Sequence, residues 1–177
     1  MSAPPNANIR KLDRNRFSPH MPSLLSLPAA LLGLLLGGCV ISTPFRGPGF
    51  ADGKVTQAAP DTEVVVSITN ATVNRDQRGP FDEHVSKVVK SLPGQPGLIG
   101  YAVRKELFGD EVWTITVWRS EADRARFVAS NEHRAAMAAG GPALKTVRFS
   151  RVVVPAQELP LSWERAKVLL DAQPRSY

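Results

Sequence analysis

The chain has 177 residues, of which 43% are hydrophobic and 21% are charged, with a formal net charge of +6. This length and composition predict one ordinary folded domain with additional segments, and they exclude a wholly disordered chain. A single cysteine excludes an internal disulfide framework and a cysteine-based metal cluster.

The positive charge is concentrated at the beginning of the sequence. Residues 1–38 hold four basic residues and one acidic residue, which leaves 18 basic and 15 acidic residues and a charge of +3 for the rest. Those remaining bases are interspersed with acids, as on a solvated surface. A nucleic-acid-binding protein is expected to show a basic stripe with exposed stacking aromatics. We therefore expect no nucleic-acid partner.

Residues 1–38 are predicted to be a signal peptide of the lipoprotein type. A basic stretch precedes an apolar run over residues 24–36, which is too short for a bilayer span of about 20 residues. A basic region followed by a short apolar region is typical of a secretory signal. The run ends in Leu36-Gly37-Gly38-Cys39, which resembles the bacterial lipobox. The resemblance implies cleavage before Cys39 and lipid on its sulfur and new amino group.

Lipid on Cys39 would anchor the protein in the cell envelope. One acyl chain such as palmitate holds weakly, whereas two or more anchor stably, so the mature protein is expected on the extracytoplasmic face of a bacterial membrane. The alternative is a plain buried cysteine after an uncleaved helix. Residues 39–60 contain repeated proline and glycine without apolar periodicity, so we predict a flexible tether there.

The folded domain is predicted over residues 61–155. It begins with a strand over residues 63–73, which is rich in β-branched residues. A helix opened by Pro80 follows, and two strands over residues 98–107 and 112–118 form a hairpin around a tight turn. The helix is predicted from one apolar stripe, which consists of Phe81, Val85, Val88, Val89 and Leu92.

The second half of the domain is predicted to contain a broken helix and a last strand. Ser120 and Ser130 are both N-cap candidates within one helical region, so a break or restart is expected in its middle. The last strand covers residues 146–154. A C-terminal extension over residues 156–177 carries a short helix capped by Ser162.

The element order β-α-β-β-α-β predicts a ferredoxin-like α+β fold. Its strands are apolar on both faces, since Trp113 and Trp118 lie at odd and even positions of one strand. In the preceding strand, alternation places Ile99, Tyr101 and Val103 on one face. A sheet with two apolar faces needs cover on both, and the simplest second cover is another copy of the chain. In a strict monomer, the chain's own C-terminal tail would have to cover that face. We therefore expect a homodimer in the form of a dimeric α+β barrel.

Three stretches of the sequence resemble the antibiotic biosynthesis monooxygenase group of domains. They are Pro96-Gly97-Leu98-Ile99-Gly100-Tyr101, Thr116-Val117-Trp118-Arg119-Ser120-Glu121 and Phe127-Val128-x-Ser130-x-x-His133-x-x-Ala136-Met137. The third pattern is similar to that of an uncharacterised subgroup, and the tail Leu161-Ser162-Trp163-Glu164-Arg165-Ala166 also fits that subgroup. The resemblance covers about residues 62–172.

The resemblance implies a dimeric α+β barrel with a cavity between the sheet and the helices. Some members of the group oxidise aromatic polyketides without a cofactor or metal, others bind or degrade haem, and many have no known activity. In the haem-degrading members, a helical tryptophan corresponds to Phe127, the axial histidine to Met137 and a strand asparagine to Asn70. Because only the asparagine is retained, a small apolar or aromatic ligand is favoured over haem, and we expect no cofactor. We also expect no metal, because the sequence has no His, Asp and Glu cluster with metal-binding spacing.

The catalytic candidates are His133 and Asn70. Ser130 can cap a helix whose first turn holds His133 on its apolar face, and the positive end of a helix disfavours an imidazolium. A neutral ring is therefore expected, which could orient a ligand or accept a proton from a phenol. The alternative is a buried histidine bonded to a backbone carbonyl. For Asn70, the alternative is that it only satisfies a backbone group at a strand end.

The ligand-binding candidates are Trp118, Tyr101, Phe127 and Met137, of which Trp118 also has a simple packing interpretation. His84 lies off the apolar stripe of its helix and is expected to face solvent.

Three functions remain open. The first is a cofactor-free monooxygenase that binds a small apolar or aromatic molecule. The second is a non-catalytic ligand-binding or sensing lipoprotein with the same cavity, and the third is a structural envelope lipoprotein.

Overall fold

The structure, a computed structural model, describes residues 39–176, so the predicted signal peptide lies outside the described residues. Short 3-10 turns cover Arg75–Gln77, Leu92–Gly94, Gly141–Ala143 and Ala156–Glu158. The strands and helices in chain order are β1 (Val40–Ser42), β2 (Phe50–Ala51), β3 (Lys54–Val55), β4 (Glu63–Val73), α1 (Arg78–Ser91), β5 (Leu98–Glu106), β6 (Glu111–Trp118), α2 (Glu121–Val128), α3 (Asn131–Gly140), β7 (Leu144–Pro155), α4 (Trp163–Ala172) and β8 (Arg175–Ser176).

Six of these strands form one antiparallel sheet in the order β1-β5-β6-β4-β7-β8, and β2 and β3 form a separate hairpin. The four inner strands, with α1 and the α2–α3 pair, follow the predicted order, so the ferredoxin-like α+β fold is confirmed. On the helix side of the sheet, Leu92 and Phe127 pack against Leu98 and Trp118 in one buried cluster. Within the described range, none of the helices is long and apolar enough to cross a bilayer.

Serine caps begin three of the helices, as predicted. The hydroxyl oxygens of Ser120, Ser130 and Ser162 accept hydrogen bonds from backbone amides three residues later, at 3.2, 3.2 and 3.1 Å. The Ser130 cap starts a new helix, which is why the second helical region is divided into α2 and α3.

A β-bulge in β5 changes which residues share a face of the sheet. The register of β5 against β6 shifts between Leu98 and Gly100, so one extra residue is inserted there. Ile99 consequently packs in the cluster on the far side of the sheet, whereas Tyr101 and Val103 pack on the helix side. The predicted common face of Ile99 and Tyr101 is wrong, because strict alternation fails at the bulge.

The face of the sheet opposite the helices is covered by the C-terminal extension. Leu159, Leu161 and Leu170 are each at most 9% exposed and pack on this face. The apolar second face had predicted a homodimer, but the chain's own tail supplies the cover, so this reason for a dimer no longer holds. The strand residues in the covered cluster are Val64, Val66, Ile68, Ile99, Trp113, Ile115, Val117 and Val154.

The predicted flexible tether over residues 39–60 is wrong, because this segment pairs with the outer edge of β5. Its backbone amides at Thr43, Arg46 and Gly49 donate to carbonyls of β5 at 2.8, 3.1 and 3.0 Å. A strand edge presents unpaired backbone groups, and the segment satisfies them. The indole Nε1 of Trp163 on α4 also donates to the Ser42 hydroxyl at 2.7 Å, which joins the two terminal segments.

Candidate functional site

A cavity of about 300 Å³ lies between the helix side of the sheet and helices α1, α2 and α3. Binding cavities for small molecules typically measure about 300–1,000 Å³, so this one suits a ligand of one or two rings. Five of the six candidate site residues line its wall. They are Tyr101, Trp118, Phe127, His133 and Met137.

The floor of the cavity is a patch of four hydroxyl groups at the centre of the sheet. Ser67 on β4 pairs with Thr116 on β6, and Thr69 pairs with Thr114, so the four side chains form two adjacent cross-strand pairs. The Trp118 indole donates to the Thr116 hydroxyl at 3.0 Å. Within residues 39–176, the other three hydroxyls make no side-chain hydrogen bond, so they can donate to or accept from a ligand.

Sequence reasoning missed this hydroxyl patch, although a signal for it was present. Ser67 and Thr69 alternate with buried aliphatic residues in β4, as Thr114 and Thr116 do in β6. Alternation of this kind marks a strand with one polar and one apolar face. The paired register of β4 and β6, which brings the four together, could not be read from either strand alone.

One wall of the cavity is a row of three rings in contact. The Trp118 and Phe127 ring centroids are 5.0 Å apart with an interplanar angle of 27°, and Phe127 meets the His133 ring edge-on at 5.0 Å. Trp118 ends β6, Phe127 lies in the last turn of α2, and His133 lies in the first turn of α3. The break between the two helices therefore brings the histidine against the aromatic pair.

His133 is half-buried, and its surroundings favour the neutral ring. Burial lowers its pKa below the usual value, and the nearby Arg124 guanidinium acts in the same direction, while an interaction with the Val128 carbonyl opposes them. The lowered pKa agrees with the expected neutral ring, although burial is its largest cause and the sequence pointed to the helix end. The carbonyl interaction is the one that the alternative interpretation of His133 expected. An interaction with a carbonyl favours the proton on that ring nitrogen, which leaves the other nitrogen as an acceptor.

The rim of the cavity carries an ion-pair cluster that joins α2 to β7. Arg124 donates to Glu121 at 2.9 Å, and Arg151 donates to the same carboxylate at 2.7 Å. These guanidinium groups, with the Arg124 hydrogen bond the largest cause, lower the pKa of Glu121. Both arginines line the cavity. Two cations share one anion, so the rim has a net positive charge that sequence reasoning did not identify.

Two predictions about cavity residues are wrong. Asn70 lies on the opposite face of the sheet, because its neighbours Thr69 and Ala71 point into the cavity. It is buried, and its Nδ2 has no hydrogen-bond partner among the described residues, so it cannot share a site with His133. His84, expected to face solvent, is half-buried and lines the cavity from α1.

The remaining candidates are Cys39 and a metal site. Cys39 is exposed at the start of β1, immediately beside the sheet edge. In the part of the chain that the structure describes, no three His, Cys, Asp or Glu side chains are grouped so that they could hold a metal ion.

Residues 64–139 match the family model described as antibiotic biosynthesis monooxygenase. The fold is similar to that of a proposed antibiotic biosynthesis monooxygenase from Chloroflexus aurantiacus, with 19% identity over 51% of this chain and 92% of that one and a TM-score of 0.45. A proposed member from Nitrosomonas europaea is 13% identical over 56% and 94% of the two chains, with a TM-score of 0.48. The comparison with curated proteins found no match.

Proposed function

Residues 64–139 form an antibiotic biosynthesis monooxygenase-like domain, and we propose that its cavity binds a small aromatic molecule that carries a hydroxyl group. The observation that carries this proposal is the pairing of two surfaces in one cavity. An aromatic row that ends in a neutral histidine and a floor of hydroxyl groups both line the same 300 Å³ space. The apolar ring of the ligand would pack on the aromatic row, and its polar substituent would form hydrogen bonds with the histidine or the hydroxyl groups.

The ligand ring would pack against Trp118 and Phe127, since aromatic pairs add about 0.5–1.5 kcal/mol to simple burial. Its hydroxyl would donate to the acceptor nitrogen of His133. Further oxygens on the ligand would bind the three hydroxyls of the floor that have no internal side-chain partner. The positive rim at Arg124 and Arg151 would favour a phenol that is partly ionised.

Binding can be tested on the full chain in detergent with 1-naphthol and naphthalene as probes. Trp118 reports on the cavity, so its fluorescence should change on binding, and Trp118→Phe should remove the signal. We expect 1-naphthol to bind about tenfold or more tightly than naphthalene. Naphthalene would leave polar groups of the cavity without a hydrogen-bond partner, which costs about 1–3 kcal/mol of binding free energy. Equal binding of the two probes, or no binding of either, would contradict the proposal.

A second candidate function is oxidation of the bound phenol by dioxygen, which the neutral acceptor nitrogen of His133 favours. His133 would take the phenol proton, and the phenolate, which carries electron density at the ring carbon opposite its oxygen, would react with dioxygen at that carbon. The C–H group there becomes C=O and the second oxygen atom leaves as water, so the substrate supplies all the electrons. Incubation of 1-naphthol with the chain under 18O-labelled dioxygen should give 1,4-naphthoquinone with one labelled oxygen. Failure of the chain to accelerate this product over buffer would leave binding as the function.

We also propose that lipid on Cys39 holds the protein on the extracytoplasmic face of a bacterial membrane. The support is the lipobox resemblance together with the exposed position of Cys39. Cys39→Ser should release the protein from the membrane fraction or leave an unprocessed precursor. Unchanged fractionation and unchanged mass of Cys39→Ser would contradict the lipid anchor.

The homodimer also stays a proposal, and it has to use a surface other than the face that the tail covers.

A further inference from the structure

One corner of the sheet exposes a group of large apolar side chains. We call it the apolar corner and define it as Val40 and Ile41 of β1, which point to the two opposite faces of this sheet edge, with Leu107 and Phe108 of the β5–β6 turn. Their exposed fractions are 41%, 48%, 49% and 72%. Single exposed apolar residues are normal on protein surfaces, but neighbouring ones in a group mark a contact surface.

The backbone fixes Cys39 within this corner. Val40 pairs with Glu106 across the β1–β5 ladder, and the Leu107 amide donates to the Cys39 carbonyl at 2.7 Å. Paired strands lie about 4.8 Å apart, and Phe108 follows Leu107 directly. Cys39 is therefore a neighbour of the turn that carries Phe108, without a tether between the cysteine and the folded domain.

We propose that the apolar corner inserts into the membrane interface beside the lipid on Cys39, so that the domain is held on the bilayer in one orientation. This inference rests on the proposed lipidation. Acyl chains on Cys39 enter the bilayer at the cysteine itself, and the short ladder to β5 brings Leu107 and Phe108 to the same surface. Burial of these side chains among lipid removes apolar area from water.

The charges around the corner are nearly balanced, so the apolar contact carries the proposal. Asp82 is shared by Lys105 and Arg78, at 2.8 and 3.1 Å, and Asp110 is shared by Arg75 and Lys145, at 2.6 and 3.0 Å. Two carboxylates of the same hairpin, Glu106 and Glu111, balance the two excess positive charges. Binding of the apolar corner to the bilayer should therefore not require anionic lipids. The hairpin that carries the corner also supplies cavity-lining residues from β5 and β6.

A single thiol probe tests this orientation in the lipidated full chain. Cys39 is the only cysteine of the sequence, and acylation blocks its thiol, so Phe108→Cys introduces one reactive site for an environment-sensitive fluorophore. The matched control is Val168→Cys on α4, which is 58% exposed. In phosphatidylcholine vesicles, the probe at position 108 should emit at shorter wavelength and be quenched by nitroxide-labelled lipid. The probe at position 168 should do neither.

Two results would overturn the inference, and they differ. Acylated protein that floats with the vesicles but gives equal, unquenched emission at both positions would overturn the docked corner and leave the lipid anchor standing. Mass spectrometry that finds no acyl chain on Cys39 would overturn both proposals together.

Discussion

The two faces of the sheet are built from alternate residues of the same strands, yet they differ in packing. On the face that the tail covers, Val66, Ile68, Ile115 and Val117 are at most 1% exposed and contact other apolar side chains. On the helix side, Ser67, Thr69, Thr114 and Thr116 border an open cavity. The covered face therefore contributes most to stability, while the incompletely filled face is free to bind a ligand.

The largest effect is expected where the tail covers the sheet. Leu170→Asp places a charge in a fully buried position of α4, which costs several kcal/mol and should detach the helix. The exposed apolar face should then make the chain self-associate, as measured by light scattering, with a lower unfolding midpoint in denaturant.

Val168→Asp is the matched control for this change, because it puts the same charge on the exposed side of the same helix. It should leave mass and stability almost unchanged. If Leu170→Asp behaved like Val168→Asp, α4 would not be the cover of the second face.

A smaller effect separates the two faces at neighbouring positions of β6. Ile115→Ala on the covered face should lower the free energy of unfolding by about 2–5 kcal/mol, because it leaves a cavity in a packed core. Thr114→Ala on the cavity floor should cost less than about 1 kcal/mol, which is the span of strand propensities. Equal losses in denaturant titration would show that the two faces are packed alike.

Ligand affinity should depend on His133 without a comparable loss of stability. His133→Gln removes the acceptor nitrogen beside Phe127, so 1-naphthol should bind about tenfold more weakly, which corresponds to about 1.4 kcal/mol. The control His84→Gln changes a second histidine of the same cavity and should bind 1-naphthol as the unchanged chain does. A stable His133→Gln variant that binds 1-naphthol with unchanged affinity would remove this residue from the site.

The smallest expected effect is a pH dependence of stability from the same histidine. Burial lowers the pKa of His133 in the folded chain, so the unfolded chain binds its proton first as the pH falls. The free energy of unfolding should therefore decrease as the pH drops below about 6.5, the usual histidine value. His133→Gln should weaken this dependence. If denaturant titrations gave the same pH dependence of the unfolding free energy for the unchanged chain and for His133→Gln, the lowered pKa of His133 would be contradicted.

Local patterns predicted the elements well, whereas side-chain placement needed the register. The serine caps and the apolar stripe of α1 are set within a few residues, so the sequence was sufficient for them. The bulge that turns Ile99 away from Tyr101 depends on pairing with β6. Asn70 was assigned to the site from a family resemblance, although alternation alone places it with Val66 and Ile68 on the covered face.

The cover of the second face could not be read from the sequence either. An apolar face does not say whether a second copy or the chain's own tail packs on it. The sequence favoured a second copy and left the tail as the alternative for a monomer, but it did not identify the leucines that form the cover. The repeated proline and glycine of residues 39–60 predicted flexibility. These residues instead follow an irregular path along β5, because the open edge of that strand supplies backbone partners.

The most direct test of the proposed binding site is a crystal structure of the chain soaked with 1-naphthol. We expect the naphthyl ring in the cavity against Trp118 and Phe127, with its oxygen about 2.6–3.2 Å from a ring nitrogen of His133. A ligand found elsewhere on the surface, or a cavity closed by side chains with no room for the ring, would contradict it.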